Sequence, residues 1–185
     1  MKDWLTDRAR EFASLRGTHV ESWVGVEWAL REDVPGTGPQ FHDPSVPFLQ
    51  LWGLQAVLAD GQGVSVGTYQ HDTDFGLWID PWADFRGKLQ DERLWTGSTR
   101  WRALTELPTG HVDEVTVVVD EGVLAEVLLR IAGRPLLLMA GEASETEEGG
   151  LTFLRLDESV LAFTDPAAAD LIPWNPPRQR LAQTP

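Results

Sequence analysis

Trp4, Leu5, Ala9, Phe12 and Leu15 recur at three- and four-residue steps and Gly17 follows them, which predicts one amphipathic helix over residues 3–16. Beyond it the apolar period falls to two. Val24, Val26, Trp28 and Leu30 alternate with Gly25, Glu27 and Ala29, the pattern of a strand whose valine face is buried. The stretch "REDVPGTGPQFHDPSVP" is rich in Pro and Gly, and its X-Pro steps predict a long loop. From Phe48 two apolar runs flank Asp60-Gly61-Gln62-Gly63, a hairpin signal because Asp and Gly tolerate the positive φ of a tight turn. A short strand, Phe75 to Ile79, follows the "HDTD" turn. The next stretch reads as a Trp-rich connector with a helical piece near Leu89 to Leu94, in which Trp82, Phe85, Trp95 and Trp101 need burial.

The β pattern then returns. Val115, Val117 and Val119 alternate, "VLAEVLLRIAGRPLLLMAG" holds two apolar runs around Ala132-Gly133-Arg134, and Leu151 to Leu156 and Ser159 to Phe163 follow an acidic loop. Asp165 as N-cap, Pro166 at the first helical position and Ala167 to Leu171 predict a short closing helix, before an extended, partly mobile tail whose start Trp174 anchors. The chain therefore reads as one compact β-rich domain, mainly antiparallel and sandwich or barrel-like, with an N-terminal helix (1–16), a first β unit (17–80), the connector (81–109), a second β unit with its closing helix (110–172) and a Pro-rich tail (173–185).

Two local matches raise the expectation that the β units are similar halves. "THVESWVGV" parallels "GHVDEVTVV" at an offset of 92 residues, and the turn glycines Gly61 and Gly133 stand 72 apart. The apolar phase does not carry over, because Val24 and Val26 align with Thr116 and Val118 while Val115 and Val117 align with Trp23 and Gly25. Either a bulge intervenes or the match is accidental.

Composition narrows the function. A chain of 185 residues buries roughly 70% of its unfolded surface without staples, and it has no cysteine, which excludes thiol nucleophiles and Cys-based metal sites. Fifteen Lys+Arg against twenty-nine Asp+Glu give a net charge of −14, which opposes nucleic acid and anionic membranes and favours a basic protein partner. No apolar run is long enough to cross a membrane, and the charged N-terminus has no signal-like h-region, so a cytoplasmic location is expected.

The candidate chemistry is thin. Gly63-Val64-Ser65-Val66-Gly67 fits the nucleophile-elbow spacing, but no helix pattern follows it and Ser65 reads as a solvent-facing strand residue. His42-Asp43 and His71-Asp72, with Asp74, offer imidazole and carboxylate, yet their Pro/Gly-rich surroundings suit turn capping better than a metal, and no catalytic residue, metal or cofactor is expected. "GEASETEEGG" is an exposed acidic loop, so Glu142, Glu145, Glu147 and Glu148, with Asp72 and Asp74, are candidate contacts for a basic partner. Nine of the seventeen aromatics are Trp, and His71, Trp78, Trp82, Trp95 and Trp101 form the competing candidate, an aromatic site for a small molecule or carbohydrate, or a hydrolase.

The segment from Trp101 to Trp174, with "GHVDEVTVVVDEGVLAEVLLRIAGRPLLLMAGE" and "LDESVLAFTDPAAADLIPW", resembles bacterial proteins of the toxin-immunity type. The resemblance rests on strand patterns and carries over no site residue. It implies a small, acidic, cytoplasmic protein that blocks a cognate toxin's surface. The expectation is thus a non-catalytic binding or inhibitory module, either a monomer or a small homo-oligomer.

Overall fold

The computed structural model describes residues 2–81 and 97–178. Within them the order is α1 (Lys2–Ala13), β1 (His19–Trp28), β2 (Arg31–Val34), β3 (Gly38–Gln40), β4 (Leu49–Leu58), β5 (Gly63–His71), β6 (Asp74–Pro81), β7 (Thr99–Ala103), β8 (Gly110–Asp120), β9 (Val123–Ile131), β10 (Arg134–Glu145), β11 (Leu151–Phe163) and a 3-10 helix (Pro166–Leu171). The fold is β-rich and antiparallel with a helix near each end, as the periodicities predict. The expected helical piece near Leu89 to Leu94, with Trp82, Phe85 and Trp95, lies outside the described residues. No described helix is long and apolar enough to cross a membrane.

Nine strands form one sheet whose pairings close on themselves, β1 to β4, β11, β10, β9, β8 and back to β1, with β5 and β6 continuing from the far half of β4 and β7 from the end of β1. The inner face holds Val20, Trp23, Leu54, Leu77, Val112, Leu129, Leu136, Leu138 and Val160, and Phe12 and Leu15 pack onto the same core. The expected loop after β1 instead contains the β2–β3 ribbon, which pairs Arg31 with Gln40 and Val34 with Gly38. Standing apart from the main sheet, the ribbon tolerates Pro39, whose missing N–H costs the long ladders nothing.

The two halves are similar in architecture. β1, β4, β5 and β6 form one antiparallel meander and β8, β9, β10 and β11 form another. They join where His19 pairs with His111 and Val20 with Gly110, and Val112 N–H donates to Thr18 O, so the junction reads the same after exchanging residues 92 apart. Each leading strand has a bulge directly after its "HV" valine, between Val20 and Ser22 and between Val112 and Glu114. Each has a second irregularity six residues on, after Val26 and after Val118.

This geometry resolves the phase conflict and adds a second buried face to β1. Trp23 packs into the inner core as its counterpart Val115 does, while Val24 pairs with the outward Gln55 and Val26 with Gly53. On that outer row Val26 is fully buried and Val24 half-buried, and a strand with apolar burial on both sides loses its alternation.

The outer face of the second meander carries its own core. Leu137, Met139, Leu161 and Phe163 are sealed by Phe48, Ala169 and Trp174. Asp165 caps the 3-10 helix through the Ala167 N–H, as expected, although the helix is 3-10 and not α. Trp174 is only 6% exposed, donates Nε1–H to Ala169 O, and lies against Phe48, Phe153 and Phe163. The predicted mobile tail is tied down as far as it is described. Arg155 N–H donates to Asn175 O, the Arg155 guanidinium reaches Pro177 O and Asp120, and Arg178 grips both oxygens of the buried Glu126 at 2.8 and 2.7 Å.

Candidate binding cleft

On the outer face of the first meander, Trp28, Trp52, Phe75 and Trp78 enclose a cleft of about 190 Å³, with Gly53, Ser65, Val66, Gly67, Thr68 and Glu158 completing its lining. The three tryptophans arrive by different local devices. Trp28 closes β1 on its outward row. Trp52 is an extra residue in the β1–β4 ladder, since Val26 pairs with Gly53 and Glu27 with Leu51, and such a bulge turns a side chain out of register. Trp78 lies across Gly67, its cross-strand partner, where a Cβ would meet the indole at 3.0–3.3 Å. Its Nε1–H donates to Thr68 O at 2.8 Å and fixes the ring.

Glu158 comes from a wide bulge in β11. Gly141 pairs with Arg155 and Ala140 with Val160, leaving Leu156 to Ser159 outside the ladder. Gly141 is required there, because a Cβ would stand 2.7 Å from Leu154 O. The bulge is pinned at both ends: Leu156, at φ +58°, is buried beside Val123, Ala125 and Tyr69, and Thr68 Oγ1 donates to Glu158 O. Beneath the cleft the fully buried Gln55 donates Nε2–H to Ser65 Oγ, and its Oε1 accepts nothing.

Beside the bulge, carboxylates gather. Burial pushes the Glu142 carboxyl above the usual glutamate range, and the charges of Asp157, Glu158 and Glu32 push it the same way. Ser144 Oγ donates to it and opposes them. Three carboxylates from β2 and β11 thus lie near enough to act on Glu142.

A second, more open cavity of about 460 Å³ is lined by Glu27, His42, Phe48, Arg100, Arg102 and Glu106, among others. Its charges satisfy one another. Buried Glu27 takes Arg100 Nε–H at 2.6 Å and Arg102 Nη2–H at 2.8 Å, Arg102 also pairs with Glu106, and the Arg100 guanidinium lies 4.2 Å from the Phe41 ring centroid. Two carboxylates and two guanidiniums leave no net charge for a ligand to answer.

The sequence candidates are dispersed. Of the aromatic set, Trp78 lines the cleft and Trp101 stands exposed on β7 opposite Val26 on the same outward row, while Trp82 and Trp95 lie outside the described residues. Of the acidic set, Glu142 belongs to the cluster. Glu147 and Glu148 sit in the β10–β11 turn, and Glu145 faces Arg31 at 3.8 Å. His71 and Asp74 pair across a two-residue turn in which Asp72 has φ +53°. Asp43 caps its own turn by accepting the Ser45 N–H and O–H, and these bonds with Arg31 lower its pKa to about 2. No group of three His, Cys, Asp or Glu suited to a metal occurs among the described residues. Ser65 lies mid-strand in β5, not at a strand-to-helix turn, and is buried rather than solvent-facing. Trp28, Trp52, Phe75 and Glu158 were missed: alternation put Trp28 on a buried face, and neither bulge has a sequence signature.

Compared with known protein families, curated proteins and solved structures, the chain matches none.

Proposed function

We propose that the protein is a non-catalytic binding module that captures a basic protein partner, in the manner of the toxin-immunity proteins its C-terminal segment resembles. The observation that carries this reading is the gathering of Glu32, Asp157 and Glu158 around Glu142, a concentration of negative charge that a cationic partner complements. The net charge of −14 supplies the long-range field that steers such a partner in. A small-molecule or carbohydrate site is less favoured, because the aromatic cleft's 190 Å³ falls below the roughly 300–1,000 Å³ of such pockets and the larger cavity is neutralised internally.

The test is capture from host lysate on the immobilised protein, at low and high salt, beside a variant in which Glu142, Asp157 and Glu158 are all changed to Lys. A stoichiometric basic protein, released by salt and not retained by a folded variant, supports the reading. Capture of no basic protein, or capture indifferent to salt and to the charge reversal, contradicts it.

A further inference from the structure

Resting on that reading, we propose that the aromatic cleft of the first meander receives one arginine side chain of the basic partner. The walls suit it. Trp28, Phe75 and Trp78 offer π-faces, which attract a cation, and the planar guanidinium stacks on indole where a compact ammonium does not. The rim suits it as well, since Glu158 lines the cleft and belongs to the cluster with Glu142, Asp157 and Glu32.

The hydrogen-bonding character points the same way. Two of the cleft's donors are consumed by backbone carbonyls, Trp78 Nε1–H on Thr68 O and Thr68 Oγ1–H on Glu158 O. Glu158 and Ser65, whose side-chain oxygens can accept a hydrogen bond, are among the residues that line the space. A guanidinium donates five N–H groups and accepts none. Size agrees too, because the cleft is smaller than a small-molecule pocket and fits a single long side chain.

The molecule contains its own precedent. Through the paired irregularities, Gly53 on the outer row of β4 corresponds to Glu126 on the outer row of β9, since they pair with Val26 and Val118, which are 92 residues apart. On the second meander that row is covered by the chain's own tail, which sets the Arg178 guanidinium on Glu126. On the first meander the aromatic cleft occupies that place, with Glu158 at its rim.

The probe is N-acetyl-arginine methylamide, titrated against tryptophan fluorescence, with the neutral isostere N-acetyl-citrulline methylamide as comparison. Saturable quenching is expected, with arginine preferred over citrulline by about tenfold. Glu158→Gln should weaken arginine binding about fivefold. Trp78→Leu and, independently, Trp28→Leu should each weaken it about tenfold while retaining the far-UV spectrum of the parent. Equal binding of the two probes, or an arginine affinity unchanged in both Trp variants, overturns the proposal. A captured basic partner whose binding survives both Trp variants also overturns it, yet leaves the protein-binding reading intact. Selective arginine binding without any captured partner supports the cleft chemistry and contradicts the wider reading.

Discussion

The two meanders share strand order, junction and bulge positions, yet their outer faces end differently. On the second, Leu137, Met139, Leu161 and Phe163 are sealed by Trp174 and the 3-10 helix, and buried Glu126 is neutralised by Arg178. On the first, the corresponding strands present a cleft lined by three tryptophans and a phenylalanine, with a carboxylate cluster at its edge. Among the described residues, one architecture is thus used once as a core and once as a surface. The difference lies in what covers the outward row, not in the sheet itself.

The comparison breaks most visibly where coverage is complete. Arg178→Ala leaves the Glu126 carboxylate buried without its partner and should cost about 3–5 kcal/mol in urea denaturation. Adding Glu126→Gln should recover most of that, whereas failure of the double variant to recover would mean that Arg178 acts through packing alone. Trp174→Ala, which empties an aromatic cluster, should be similarly costly at about 3–5 kcal/mol. Trp78→Ala on the open face should cost less, about 1–2 kcal/mol, because its ring is only half buried.

A sharper version concerns one glycine. Gly67→Ala places a methyl 3.0 Å from the Trp78 indole and should cost about 1–3 kcal/mol, while displacing the ring and weakening arginine binding. An unchanged Trp78 environment in the near-UV spectrum would show that the ring does not depend on that contact.

The smallest effect is a pH dependence. Glu142 ionises in the ordinary glutamate range when unfolded and at higher pH when folded, so the native state holds more protons in the window between. Stability therefore falls as pH rises through that window, and the deficit persists above it. Glu142→Gln should be modestly more stable than the parent at neutral pH and lack that fall, as denaturant midpoints across the mildly acidic range would show.

How far the sequence foretold this depends on the range of the interaction. Local periods marked α1, the long strands and both hairpins, and Asp165-Pro166 marked the closing helix, because these signals lie within a few residues of what they specify, whereas β2, β3 and β7 fell in stretches that read as loop and connector. The "HV" match was legible but its meaning was not. Val24 and Val26 marked one buried face and hid the other, on which Trp23 lies, since a strand buried on both sides carries no alternation to read.

The cleft was the least legible part. It joins Trp28, Trp52, Trp78 and Glu158 from four strands. Two of these depend on bulges, which are set by pairing with distant strands. Trp78 was chosen for its company in sequence, whereas its partners in space are Trp28 and Trp52. Likewise Glu142 was chosen for the acidic run around it, but the carboxylates that act on it come from the β11 bulge and β2.

The most direct measurement of the contrast between the two faces is a proton–nitrogen correlation spectrum with the indole N–H signals assigned, followed as N-acetyl-arginine methylamide is added. Saturable shifts at Trp28 and Trp78, with Trp174 unmoved, are the predicted result. Shifts of equal size at Trp174, or no saturable shift at Trp28 and Trp78, would contradict an open arginine-binding face paired with a closed one.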